Sequence, residues 1–191
     1  MRSATVGRLE VICGPMFSGK TTELVRRLMH ARMAGAGVLG IKPVSDQRYH
    51  DQDISTHTGD RFPAATISVA AEIGPLARVP GVVGIDEAHF FGVPLLEECV
   101  RLVAAGKRVI VAGVERDHRG GPFEPFPNLL CEADEVLKLS GPCAVCGRPA
   151  VHSQRMIASE EAIVVGGAGM YQARCRACFQ APQGEGPKQD V

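Results

Sequence analysis

The sequence predicts an α/β protein. A P-loop nucleotide-binding domain, with a parallel sheet flanked by helices, is followed by a small C-terminal zinc-binding domain carrying a lasso-like loop. Three observations predict this. The stretch GPMFSGKTTEL, residues 14–24, lies between an apolar run and a helical pattern. Short β-branched runs then alternate with amphipathic helical segments, the α/β signature. Finally, two Cys-x-x-Cys pairs stand in the last quarter of the chain.

In chain order, Leu9 to Cys13 is a short apolar strand that runs into the glycine-rich stretch. Thr21 to Ala34 follows as a helix, with Leu24 and Leu28, joined by Val25 and Ala31, on one stripe. Further strands are VLGIKP from Val38, GVVGID from Gly81 and KRVIVAGV from Lys107. All are apolar on both faces, as in strands covered by helices on both sides. Between VLGIKP and GVVGID, Ser45 to Arg61 is polar with few apolar anchors and reads as a long, mobile loop of the kind that carries function. PLLEECVRLVAAG, Pro94 to Gly106, has proline in its first turn, helical spacing and a terminating glycine. The composition changes after EVLKL, which places a boundary near Leu139. The expected domains are therefore residues 1–139 for the nucleotide-binding unit and 140–180 for the zinc-binding lasso unit. Residues 181–191, rich in Pro, Gly and charge, read as a disordered tail.

Composition narrows the function. A chain of 191 residues with 45% hydrophobic content can bury a core in one main domain. Its 21 basic and 21 acidic residues balance, so no global positive field favours nucleic acid or a membrane surface. The N-terminus lacks a secretory pattern, and no segment reaches the roughly twenty apolar residues of a membrane span. A cytoplasmic protein is expected, in which paired cysteines signify metal more often than disulfides. Cys13, Cys99 and Cys131 sit among apolar residues and read as buried packing residues.

Gly14, Gly19, Lys20 and Thr21 fit the phosphate-loop pattern, and the strand and helix around them supply its required context. The loop Gly14, Pro15, Met16, Phe17, Ser18 and Gly19 would wrap the phosphates, with main-chain N–H groups at the loop and helix start pointing at them and Pro15 supplying none. Lys20 would spread charge over the β and γ groups, and the Thr21 hydroxyl would ligate Mg²⁺. In VVGIDEAHFF, Asp86 ends an apolar strand where such folds hold the Mg²⁺ shell. Glu87, one residue on, is placed to take a proton from an attacking hydroxyl or water. Cys143, Cys146, Cys175 and Cys178 match a tetrahedral, structural zinc site. The segment between the pairs would be a loop stapled by the metal, in which Tyr171 either stacks on a flat ring or packs against the main domain. Lys42, Arg48, Arg119 and Arg155 are the remaining basic candidates near the phosphates.

Taken in order, GPMFSGKTTEL, KPVSDQRY, ISTHTGD, GIDEAHFF, RGGPFEPFPNLLCEADEVLKL, CAVCG and VVGGAGMYQARCRAC resemble the zinc-containing thymidine kinases of cells and bacteria. The resemblance runs from about Leu9 to Phe179. It implies transfer of the γ-phosphate of ATP to the 5′-hydroxyl of thymidine or deoxyuridine, for deoxynucleotide salvage and DNA synthesis. It further implies that Glu87 is the general base and that Arg48 contacts the reacting phosphates. Main-chain groups of Val165, Gly166, Gly167, Ala168 and Gly169 would hydrogen-bond the base, with Tyr171, Met16 and Phe90 lining the pocket. A homotetramer with thymidine triphosphate as feedback inhibitor is also implied.

The chain departs from the family pattern at several positions. His89 replaces a glutamine, Val114, Glu115 and His118 occupy a variant Gly-Leu-Asp segment, and Ser153 stands where threonine is frequent. A phenylalanine at position 118 would pack on the base; His118 can still stack but adds a titratable edge. DEAH, Asp86 to His89, also spells a helicase signature, so a nucleic-acid-stimulated ATPase is the competing reading. Neutral charge, a short chain and the zinc lasso oppose it.

Overall fold

The computed structural model describes residues 6–45, 53–56, 59–157, 164, 166 and 169–182. The main sheet comprises β1 (Arg8–Cys13), β2 (Val38–Pro43), β3 (Asp53–Ser55), β4 (Arg61–Ile67), β5 (Val82–Ile85), β6 (Arg108–Gly113) and β7 (Glu135–Lys138). Its order is β3-β4-β2-β5-β6-β1-β7. All neighbours pair in parallel except β3, which runs antiparallel to β4 at one edge. Among the described residues four α-helices accompany it: α1 (Lys20–Met33), α2 (Ile73–Leu76), α3 (Pro94–Ala104) and α4 (Phe126–Glu132).

Alternation along the central strands fills two cores. Leu9, Val11, Val83, Ile85, Val109 and Val111 pack with Leu95, Cys99 and Leu102 of α3 and with Phe126 and Leu129 of α4. Ile12, Val82, Ile110 and Ala112 pack with Leu24, Val25, Leu28 and Ala31 of α1 on the other face. Both faces are therefore covered, as the uniformly apolar strands predict. Close approach of α1 depends on Gly84, since a Cβ there would lie 2.5 Å from Leu28 Cδ2.

β3, β4, α2, α4 and β7 are absent from the sequence reading. β3 lies inside the segment expected to be a loop; its single apolar residue, Ile54, is buried, and its pairing comes from β4 rather than from any local pattern. β4 reads RFPAATI, where Pro63 and three small or polar residues dilute the strand signal. α4 spans seven residues, too few to establish a helical period. On α4 Phe126 and Leu129 face inward, and Cys131, two residues beyond, is exposed. This corrects the expectation for Cys131, whereas Cys13 and Cys99 are buried as expected.

Beyond β7 two small sheets follow, β8 (Gly141–Pro142) with β9 (Pro149–Ala150), and β10 (His152–Arg155) with β11 (Tyr171–Arg174). They share a separate small core of Cys143, Ala150, Ala173 and Cys175. No helix among the described residues is long and apolar enough to cross a membrane.

One buried charge on β1 anchors the N-terminal end of the sheet to α1. Glu10 accepts hydrogen bonds from Arg108 Nε at 2.6 Å and Nη2 at 3.0 Å, and also from Arg27 of α1. Burial pushes this carboxyl upward, but the two guanidiniums outweigh it and hold it below its usual value. Its contribution is present above the unfolded carboxyl value and is lost as pH falls through the lower folded value. Glu10→Gln, which removes the buried carboxylate between Arg27 and Arg108 but leaves Arg27 paired with Glu23 and Glu135, is expected to cost about 1.5–3 kcal/mol near neutrality. Urea midpoints measured against pH should show the two proteins converging in acid.

Candidate active site

β1 delivers the chain to the C-terminal edge of the sheet, where α/β proteins bind ligands. At Gly14 a Cβ would lie 2.5 Å from the Leu139 carbonyl oxygen, so only glycine lets the loop leave the strand along this path. Phe17 and Gly19 take left-handed φ values of 64° and 83°. Such turns make main-chain N–H groups converge on an anion. Lys20 opens α1, is buried, and reaches back so that Nζ donates to the Pro15 carbonyl at 2.8 Å. Ser18 Oγ is buried without a hydrogen-bond partner among the described residues, a donor available to a phosphate oxygen.

β5 brings Asp86 to the same edge. Thr21 Oγ1 lies 3.1 and 3.3 Å from the two Asp86 carboxylate oxygens. The hydroxyl and carboxylate are thus within reach of one small hard cation, which takes oxygen ligands of this kind. Glu87 has a left-handed φ of 48°, a conformation a non-glycine residue holds at a cost of about 1–3 kcal/mol and one that concentrates at functional sites.

A cavity opens beside the loop. Met16 comes to it from the phosphate loop, Glu87, His89 and Phe90 from the turn after β5, and Val114 and His118 from the segment after β6. Ser153, Gly166 and Tyr171 reach it from the C-terminal module. The structure thus gathers into one wall residues up to 155 positions apart in sequence. Two further contacts fix that wall. Met16 N donates to Ser153 Oγ at 2.9 Å, and Tyr171 Oη donates to the Val164 carbonyl at 2.9 Å. Tyr171 is buried, with the Arg155 guanidinium 5.8 Å from its ring centroid.

Not every candidate falls here. Arg119 is exposed and does not line the cavity. Lys42 is buried on β2, where Nζ donates to the Asp53 carbonyl at 3.4 Å. Glu115 is buried against Lys138 Nζ at 3.0 Å. Gly169 precedes β11 with a left-handed φ of 97°. Arg48, Val165, Gly167 and Ala168 lie outside the described residues. Sequence reasoning missed Arg116, Asp117, Phe123 and Val164, all of which line the cavity. Arg116 and Asp117 carried no signal beyond ordinary surface charge; Phe123, the aromatic after Gly-Gly-Pro, was the one residue whose type could have suggested a wall.

The His118 imidazole is held below its usual value, chiefly by burial and next by the Arg155 charge, with Asp117 opposing. It therefore presents a neutral ring to the cavity at neutral pH.

The Cys143, Cys146, Cys175 and Cys178 sulfurs all lie within 4.8 Å of one another. Cys146 Sγ is 3.6 Å from both Cys175 Sγ and Cys178 Sγ. Four thiolates at about 2.3 Å from zinc form a tetrahedron with edges of about 3.8 Å, so the cluster fits a structural zinc ion. Backbone hydrogen bonds, the largest from Cys175, hold the Cys143 thiol down to about 6, and the Arg148 guanidinium lowers Cys146. Sharing its proton with Cys146 and Cys175 pushes Cys178 up to about 12. Part of the cluster is thus already disposed to the thiolate form that metal binding needs.

Strand, phosphate loop and helix, with a carboxylate from a second parallel strand against the loop's threonine, define a P-loop nucleotide-binding protein, and a cavity opens beside the loop. The family model for thymidine kinase matches residues 7–179. The chain belongs to the thymidine kinase family. It is 47% identical over 179 residues to a thymidine kinase of Rhodothermus sp. (strain ITI 518), covering 94% of this chain and 84% of that protein. The thymidine kinase of Deinococcus deserti is 43% identical, covering 89% and 93% of the two chains. That of Bacteroides thetaiotaomicron is 41% identical, covering 94% and 90%. Among solved structures, flagellar accessory protein FlaH from Methanocaldococcus jannaschii superposes with a TM-score of 0.50 at 11% identity, over 69% of this chain and 70% of that one. That likeness concerns the fold alone.

Proposed function

We propose that this protein transfers the γ-phosphate of ATP, as its Mg²⁺ complex, to the 5′-hydroxyl of thymidine and of deoxyuridine. The observation that carries the reading is the position of Glu87, which lines the cavity beside the phosphate loop one residue from Asp86. A carboxylate there meets both requirements of a kinase base, reach to the acceptor hydroxyl and nearness to the transferred phosphoryl group.

The individual roles follow from chemistry. Gly14 to Gly19 hold the phosphates, Lys20 spreads positive charge over the β and γ groups, and Thr21 with Asp86 hold the metal. Mg²⁺ neutralises charge on the transferring phosphoryl oxygens when bound. Glu87 accepts the 5′-hydroxyl proton, and Arg48 contacts the reacting phosphates. Met16, Phe90, His118, Ser153 and Tyr171 bound the nucleoside, while main-chain groups from Val165 to Gly169 read the thymine edge. A carbonyl, N–H, carbonyl edge matched by peptide groups rejects an amino-bearing base, because the mismatch leaves buried polar groups unpaired. The zinc-bearing module, residues 140–180, acts as the lid over domain 1–139. Deoxynucleotide salvage in the cytoplasm, a homotetrameric state and feedback by thymidine triphosphate complete the reading. A nucleic-acid-driven ATPase has no support, the family and the similar proteins being thymidine kinases.

Labelled ATP offered against a panel of deoxynucleosides tests this reading. Label should pass to thymidine and deoxyuridine; ATP consumed only with nucleic acid, and no nucleoside labelled, would overturn it. The same panel tests His118. Replacing the ring by phenylalanine changes a stacking contact of about 0.5–1.5 kcal/mol, so His118→Phe should shift thymidine KM about two- to tenfold and alter analogue preference. An unmoved KM would take His118 out of the base pocket.

A further inference from the structure

The turn after β6 brings Arg116, Asp117 and His118 to the cavity wall. Its own hydrogen bonds give it a tight shape. Arg116 and Pro122 pair as an antiparallel bridge, and Asp117 N donates to the Gly121 carbonyl at 3.0 Å. Asp117 Oδ1 accepts from the N–H groups of Arg119 and Gly121, each at 2.9 Å. Between Arg116 and Pro122, however, the sequence RDHRGGP has no large apolar side chain. The turn therefore cannot anchor itself to the protein by burial of its own.

Its anchor comes from the C-terminal module, at Gly120. The Phe179 ring stacks on the His152 imidazole, with centroids 4.2 Å apart and planes 11° from parallel. Gly120 lies directly against this pair. A Cβ there would come within 3.0 Å of Phe179 Cε1 and 3.5 Å of His152 Nδ1, and the φ of 85° is a left-handed value that favours glycine. Both rings are themselves held in place. His152 is buried on β10 beside Ser153. Phe179 follows the second cysteine pair, where its N–H donates to the Cys175 carbonyl at 3.0 Å, and Gln180 N donates to Gln154 Oε1 of β10 at 2.8 Å.

We propose that Phe179 is a positioning residue for the nucleoside: with His152 it forms an aromatic shelf under Gly120, and the shelf fixes the turn that presents Asp117 and His118 to the cavity. The inference rests on the reading that this cavity receives thymidine. Among the described residues lining the cavity Phe179 does not appear, so its effect passes through the turn. Without the ring, Gly120 loses its support and the turn samples positions that do not match the nucleoside. Part of the binding energy then goes into ordering the turn, which weakens affinity. Lys20, Asp86 and Glu87 stand on other elements, so the rate of transfer from the bound state is retained.

Steady-state kinetics of Phe179→Ala test this. Thymidine KM should rise about three- to tenfold, while kcat and the KM for ATP stay within about twofold and elemental analysis still finds one zinc ion per chain. Phe179→Tyr, which keeps the ring, should restore the native KM. An unchanged thymidine KM in Phe179→Ala would overturn the proposal, and so would equal losses of kcat and ATP binding, the mark of general damage. Phe179→Leu carries the same test if the alanine variant does not accumulate. Gly120→Ala approaches the contact from the other side. Its backbone strain is present whatever faces it, but its clash exists only opposite the ring. In a double-mutant cycle the strain cancels, and Gly120→Ala should raise thymidine KM at least about threefold less in the Phe179→Ala background than in the native one. Independent effects would overturn the contact.

Hydrogen exchange supplies a readout without turnover. The amides of Arg119 and Gly121 should exchange about tenfold faster in Phe179→Ala, with those of α1 unchanged. Equal exchange in the two proteins would also overturn the shelf. If the native protein phosphorylates no thymidine, the kinase reading itself fails, and the exchange measurement still decides whether Phe179 supports the turn.

Discussion

Glu87→Gln should lower kcat at least about a hundredfold, equal to about 2.7 kcal/mol of transition-state stabilisation. The amide keeps the shape and the cavity wall but cannot accept the hydroxyl proton. ATP affinity should change little, because Lys20, Thr21 and Asp86 sit on the phosphate-loop side. Melting temperature should also hold, since the left-handed backbone at position 87 is retained. Single-turnover phosphoryl transfer, measured alongside ATP binding, separates this outcome from a general loss of structure. Near-normal turnover would remove Glu87 from the chemistry.

Cys175→Ser should have a comparably large effect by a different route. Cys175 is the buried member of the second cysteine pair and packs in the small core with Cys143, Ala150 and Ala173. Structural zinc contributes about 10–16 kcal/mol to small metal-dependent modules, so loss of one thiolate leaves too little hydrophobic core to hold the fold. β10 and β11 carry Ser153 and Tyr171 to the cavity. Zinc content, measured by elemental analysis, should fall from one ion per chain. Thymidine KM should rise at least about tenfold while ATP binding to the phosphate loop persists. A strong chelator applied to the native protein should reproduce the same split. A variant that keeps native thymidine KM without zinc would refute the stapling role.

Features with a short-range signature were legible in the sequence. The phosphate loop announces itself through glycine spacing between a strand and a helix, and the stripe of Leu24, Val25, Leu28 and Ala31 identifies the face of α1 that is buried. The cysteine pairs are equally local, and their sulfurs meet because β8, β9 and β11 bring the two turns together. Partner-dependent elements were not legible. β3 exists because β4 supplies its hydrogen bonds, and β4 is held between β3 and β2, although Pro63 and Ala64 carry no strand signal alone. Arg116 and Phe123 join the cavity wall through the path of the segment after β6, which no window of sequence encodes. Cys131 shows the same limit in reverse, its apolar neighbours Leu129 and Leu130 lying on helical faces different from its own.

The hydrogen bond from Met16 N to Ser153 Oγ has a consequence for how the two ligands sense each other. It joins the loop proposed to hold the donor's phosphates to β10, a strand whose Ser153 lines the cavity. Movement of that loop when an anion arrives would reach Ser153 through this hydrogen bond. Thermodynamic reciprocity then requires that whatever factor the donor imposes on acceptor affinity, the acceptor imposes on the donor.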